Sequence, residues 1–133
     1  MCLTLNIDKK KKKAERDITV WKTCLYTGSY QMLYTPYLCK FVEVGNVYYS
    51  DLIRVSTESG FVITKGLHSF KNREDAKTNI KYDFGVVVKC KIPKGSYYYE
   101  GKFGCYAAYA SDSIKYEEIT DDYRKANNYV LNN

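Results

Sequence analysis

Thr64 to Lys71 reads TKGLHSFK and contains the only histidine of the chain. A helical pattern starts just beyond it, at Asn72. The first turn of a helix presents unpaired amides and a partial positive charge, which suits phosphate or carboxylate. Lys65, His68, Ser69, Lys71 and Arg73 cluster around this point and are candidates for anion or ligand binding. An imidazole in such a place could also move a proton. That leaves open a nucleotide- or phosphate-handling enzyme centred on His68. The structural alternative is that His68 and Ser69 satisfy backbone groups where a strand hands over to a helix. A single histidine with no carboxylate in its own motif favours that alternative.

The cysteines offer less. Methionine removal would expose Cys2 as an N-terminal nucleophile, but it precedes a lysine-rich stretch and not a buried strand. Cys24, Cys39, Cys90 and Cys105 contain no close pair of the kind zinc requires, so no metal is expected. A dyad between a cysteine and His68 stays open. No phosphate loop, metal-protease pair or nucleophile elbow is present, and no cofactor is expected. Five cysteines without an export signal imply a reducing, cytoplasmic setting.

Two further groups could recognise a partner. Fifteen of the 133 residues are tyrosine. Tyr97, Tyr98 and Tyr99, with Tyr106 and Tyr109, could form a protein interface or stack bases. Alternation would put Tyr97 and Tyr99 on one face and Tyr98 on the other. The second group is the unbroken run Lys9, Lys10, Lys11, Lys12 and Lys13. It accounts for most of the net charge of +6 and leaves the remaining chain close to neutral. Such a run is ordinarily solvated, and nucleic acid is its alternative partner.

The elements that must position these groups are mostly strands. Residues 1–17 read as a basic arm and 18–133 as a single domain. Ile18–Tyr26 is rich in β-branched and aromatic residues. Phe41–Val44 and Val47–Tyr49 flank Gly45-Asn46, a hairpin signal. Leu52–Ser56 and Phe61–Thr64 flank another turn. A helix over about 72–84 is capped by Asn72, with Glu74 and Asp75 in its first turn and Ala76, Ile80 and Phe84 on one side. Val86, Val88, Cys90 and Ile92 alternate with Lys89 and Lys91, which predicts a strand wet on one face. Residues 97–100, 105–110 and 113–119 read as further strands, with a turn over Gly101–Gly104. Thr120 caps a second helix over about 120–131. The fold class is therefore α+β, a single domain on a mainly antiparallel or mixed sheet with one inserted and one C-terminal helix. No segment is long and apolar enough to span a membrane.

Several pieces, in order along the chain, carry a resemblance: Met1-Cys2-Leu3, Asp17–Lys22, Gly66–Phe70 with Ala76, Lys89–Tyr98, and Tyr109–Ile114. In these the chain resembles a group of small uncharacterised phage and prophage proteins of gut Bacteroides-type bacteria. The resemblance implies one domain and a phage-associated setting in the bacterial host cell, and brings no activity with it. The residues themselves favour a small non-catalytic binding protein that contacts a host protein or other macromolecule, or a small anionic ligand.

Overall fold

The computed structural model describes residues 3–5, 10–35, 40–58, 60–80 and 85–122. Among these, thirteen strands and one helix follow in chain order. They are β1 (Leu3–Leu5), β2 (Lys12–Lys13), β3 (Ile18–Tyr26), β4 (Met32–Thr35), β5 (Lys40–Glu43), β6 (Val47–Tyr49), β7 (Ile53–Thr57), β8 (Gly60–Lys65), β9 (Leu67–Phe70), α1 (Arg73–Thr78), β10 (Gly85–Ile92), β11 (Tyr97–Phe103), β12 (Tyr106–Ser111) and β13 (Ser113–Asp122). Every pairing between them is antiparallel. The main path runs β6-β13-β10-β3-β9-β12-β11-β1-β8-β7, with β4 and β5 added beside β3 and β2 beside β11.

This sheet has to curl. β8 and β9 are separated in sequence only by Gly66, so their ends lie within about 7 Å. In the sheet order they stand four spacings apart, about 19 Å if flat. Bending the sheet into a half-barrel reconciles the two. Gly66 takes the corner with φ +157, and a Cβ there would lie 2.8 Å from Leu52 Cδ1.

Curling divides the interior. The main core is built from Val20, Cys24, Leu33, Val88, Cys90 and Tyr116, among others. A second cluster joins Leu3, Ile63, Tyr99, Ala108 and Ala110. A third, Phe70, Ala76 and Val87, lies beneath α1. Val86, Val88, Cys90 and Ile92 are all buried, as their alternation predicts. Val87 on the opposite face is buried as well, because α1 covers it.

The helices differ from expectation. α1 has six residues, too few to persist alone. It is held by Ala76, which is fully buried, and by the Thr23 hydroxyl, which donates to the Ala76 carbonyl at 2.7 Å. Asn72 precedes α1 but makes no side-chain cap to the backbone. Asn79 leaves helical geometry and donates its side-chain amide to the Asp75 carbonyl at 2.7 Å, which ends the helix. The expected residues 81–84 lie outside the described residues. At the C-terminus, residues 120–122 continue β13 instead of starting a helix. Asp121 and Asp122 pair with Val87 and Val86, and the Thr120 hydroxyl donates to the Val87 carbonyl and caps nothing. Residues 123–131 of that expectation lie outside the described residues.

Two further expectations are corrected. β5 and β6 do not form a hairpin. β5 pairs with β4 and β6 with β13, because the Gly45-Asn46 turn bonds to Tyr116 in both directions. The N-terminal stretch is also not a detached arm. Leu3 is fully buried between β8 and β11, and Ala14 is buried and bonds to Gly95 and Ser96. The apolar residues before and after the lysines anchor it to the body.

Candidate functional site

β9 is a strand, so the TKGLHSFK segment is not an exposed loop. His68 and Ser69 are 7% and 2% exposed. His68 pairs across to Ala110, a member of the second cluster, so alternation aims its ring at that side of the sheet. Burial, with Lys22 nearby, pushes its pKa down to about 4, so the ring is neutral. Its Nε2 and the Ser69 hydroxyl have no hydrogen-bond partner. Of the other three members of the expected anion site, Lys65 lines one cavity together with His68, whereas Lys71 and Arg73 point elsewhere. Lys65 pairs with Asp51 at 3.3 Å and Lys71 with Glu100 at 3.3 Å. Arg73 Nε donates to Asp121 at 2.8 Å, with its guanidinium 5.8 Å from the Trp21 ring. The five do not converge, and α1 is too short to offer an anion site at its start.

The tyrosines do not form one face either. Tyr97 is exposed, Tyr98 half-buried and Tyr99 buried in the second cluster. Tyr98 packs edge-on against Tyr109 at 5.7 Å, and Tyr106 packs on Phe70 at 6.1 Å. Sheet curvature gives both faces a core, so alternation no longer separates wet rings from dry ones. Tyr97 is the exposed member, and Lys11 and Lys13 lie over its ring at 5.1 and 6.0 Å. Lys12 reaches Glu100 at 3.7 Å, and β2 pairs with Tyr97 and Tyr98. Much of the basic run is thus laid along β11. Lys10 is exposed, and Lys9 lies outside the described residues.

What the structure does assemble is a cavity of about 260 Å³ at the mouth of the half-barrel. Its walls come from β3, β4, β5, β6, the β8–β9 corner and β13. Of its lining lysines, Lys22 is buried and the others are exposed. Among the described residues three lysines, Lys22, Lys40 and Lys65, line it together with Tyr48 and Tyr116, and no aspartate or glutamate does. The two rings meet edge-on at 5.6 Å.

Lys22 is the unusual member. It is 9% exposed, on the inner face between Val20 and Cys24. Its Nζ donates to the backbone carbonyl of His68 at 2.5 Å and has no carboxylate partner among the described residues. Burial pushes its pKa below the ordinary lysine value. The thiols beside it give no compensating charge. Burial raises Cys24 to about 11 and Cys90 well above its usual range, so both stay protonated. Burial likewise keeps the Tyr116 hydroxyl protonated. A lysine held in such a place is costly unless an anion reaches it or it gives up its proton.

The chain matches no protein-family model, no curated protein and no solved structure.

The sequence carries a signal for Lys22 outside any motif. Ile18, Val20, Lys22 and Cys24 alternate onto one face, and that face is apolar except at Lys22. A charge at a core position of a strand is the mark to look for. Lys40, Tyr48 and Tyr116 had no local signal, since only the curl of the sheet brings them to Lys22. Among the described residues no group of histidine, cysteine or carboxylate side chains could hold a metal ion, and no helix is long and apolar enough to cross a membrane.

Proposed function

We propose that the protein is a small binding protein whose ligand is a small organic anion, held in the half-barrel cavity against the buried Lys22. One observation carries this reading: among the described residues, a buried lysine with only a backbone carbonyl for a partner opens onto a cavity lined by two more lysines and no carboxylate. An anionic group there would compensate the buried charge. The lining of tyrosine rings and aliphatic carbons suits the organic part of such a ligand. The space equals roughly nine waters' worth of volume, which fits a metabolite and not a peptide. In the phage-associated setting that the sequence resemblance implies, the ligand would be a metabolite of the bacterial host.

The test is a thermal-shift and calorimetric comparison of small mono- and dicarboxylates and phosphomonoesters, on the wild type and on Lys22→Met. Saturable binding by the wild type that the variant loses supports the reading. Equal binding by both proteins, or none by the wild type, refutes it.

A further inference from the structure

We propose that Lys22 captures its ligand covalently and reversibly, as an imine, and that the ligand class is small 2-oxo acids. The inference rests on the cavity being an anion site and adds the chemistry of its buried lysine. Three features of the geometry carry it. The amine belongs to the buried one of the three lining lysines, Lys40 and Lys65 being exposed, so a ligand must enter the cavity to reach it. Its single hydrogen bond is to the His68 carbonyl, which accepts from either the ammonium or the neutral amine and leaves a neutral nitrogen its lone pair. Among the described residues no carboxylate contacts it to hold the proton on.

The chemistry follows from the charge state. Nucleophilic lysines are those whose ammonium form is disfavoured by desolvation or by neighbouring cations. Lys22 is disfavoured by burial in this sense. The neutral nitrogen attacks the ligand's carbonyl carbon, forming a C–N bond. The carbonyl oxygen then departs as water, taking both amine protons, and a C=N bond remains. No oxidant or reductant is needed, and water entering the open cavity reverses the step. Lys40 and Lys65, which also line the cavity, are the cations placed to take the carboxylate. Asp51, exposed and paired to Lys65 at 3.3 Å, is the contact that such a carboxylate would displace. Tyr116, protonated and lining the same space, is a hydroxyl available to the departing oxygen.

The experiment pairs each 2-oxo acid with its 2-hydroxy counterpart, pyruvate with lactate and 2-oxoglutarate with 2-hydroxyglutarate. Binding to the full chain is measured by calorimetry. Parallel samples are treated with borohydride and mapped by peptide mass spectrometry. The expected result is tighter binding of the oxo acid, by tenfold or more, and a reduced secondary-amine adduct on the peptide containing Lys22. Lys22→Arg, which keeps the charge but cannot form the imine, should lose the adduct and the preference. If both members of a pair bind equally and no Lys22 adduct forms, the imine is overturned while the anion site stands. If neither member binds, and no other anion does, both readings fall. Adducts spread over exposed lysines at equal yield overturn the imine as well.

Discussion

Acidification should destabilise the fold through one side chain, His68. Its ring is buried and its pKa is about 4, against 6.5 for an unperturbed histidine. Between those values the unfolded chain takes up a proton that the folded chain refuses. Stability therefore falls as pH drops from neutral through 6.5 toward 4. The difference of 6.5 and 4, at 1.36 kcal/mol per unit, corresponds to about 3 kcal/mol lost by the lower limit. Carboxylates titrate in part of the same range, so the wild type must be compared with a variant that lacks only this group. His68→Leu keeps a side chain that can pack beside Ala110 in the second cluster. Urea unfolding of both proteins across the range, analysed as the difference in free energy at each pH, removes the shared carboxylate contribution. The wild type should lose about 3 kcal/mol relative to the variant on going from neutral pH to pH 4. A flat difference would refute the reasoning. It would mean that the ring is solvated or charged in the folded state.

Other substitutions probe other parts of the account. Lys22→Met removes a buried charge with one backbone partner, so urea unfolding should find it equal in stability to the wild type or more stable by about 1–2 kcal/mol, although it no longer binds the anion. Leu3→Ala should cost about 2–4 kcal/mol by the same measurement, because Leu3 is fully buried between β8 and β11. A loss near zero would restore the picture of a detached arm. Gly66→Ala should destabilise by about 1–2 kcal/mol, since its φ of +157 strains any residue with a Cβ and Leu52 Cδ1 would also have to shift.

Strands whose partners impose nothing unusual were legible locally. β3 followed from its β-branched and aromatic residues, β10 from alternation, and the β7–β8 pair from its turn. Where reading failed, a distant partner overrode the local signal. Gly45-Asn46 looks like a hairpin turn, but Tyr116, far along the chain, takes its backbone bonds. Thr120-Asp121-Asp122 looks like a helix start, yet β10 pairs with it and Arg73 grips Asp121. His68 reads as the place where a strand hands over to a helix. Gly66 does bend the chain, but from one strand directly into another. The candidate site was legible only in part. Lys65 and His68, which line the cavity, stand out in the sequence, and Lys22 could have been flagged by its place among Ile18, Val20 and Cys24, whereas Lys40, Tyr48 and Tyr116 are brought there by long-range closure alone.

The most direct test of the cavity reading is an amide NMR titration of the full chain with a small dicarboxylate. The account predicts saturable shifts confined to residues around the cavity, Lys22, Lys40, Tyr48, Gly66 and Leu67 foremost. Shifts centred instead on Lys10 to Lys13 and Tyr97, or an unchanged spectrum with every anion tried, would contradict it.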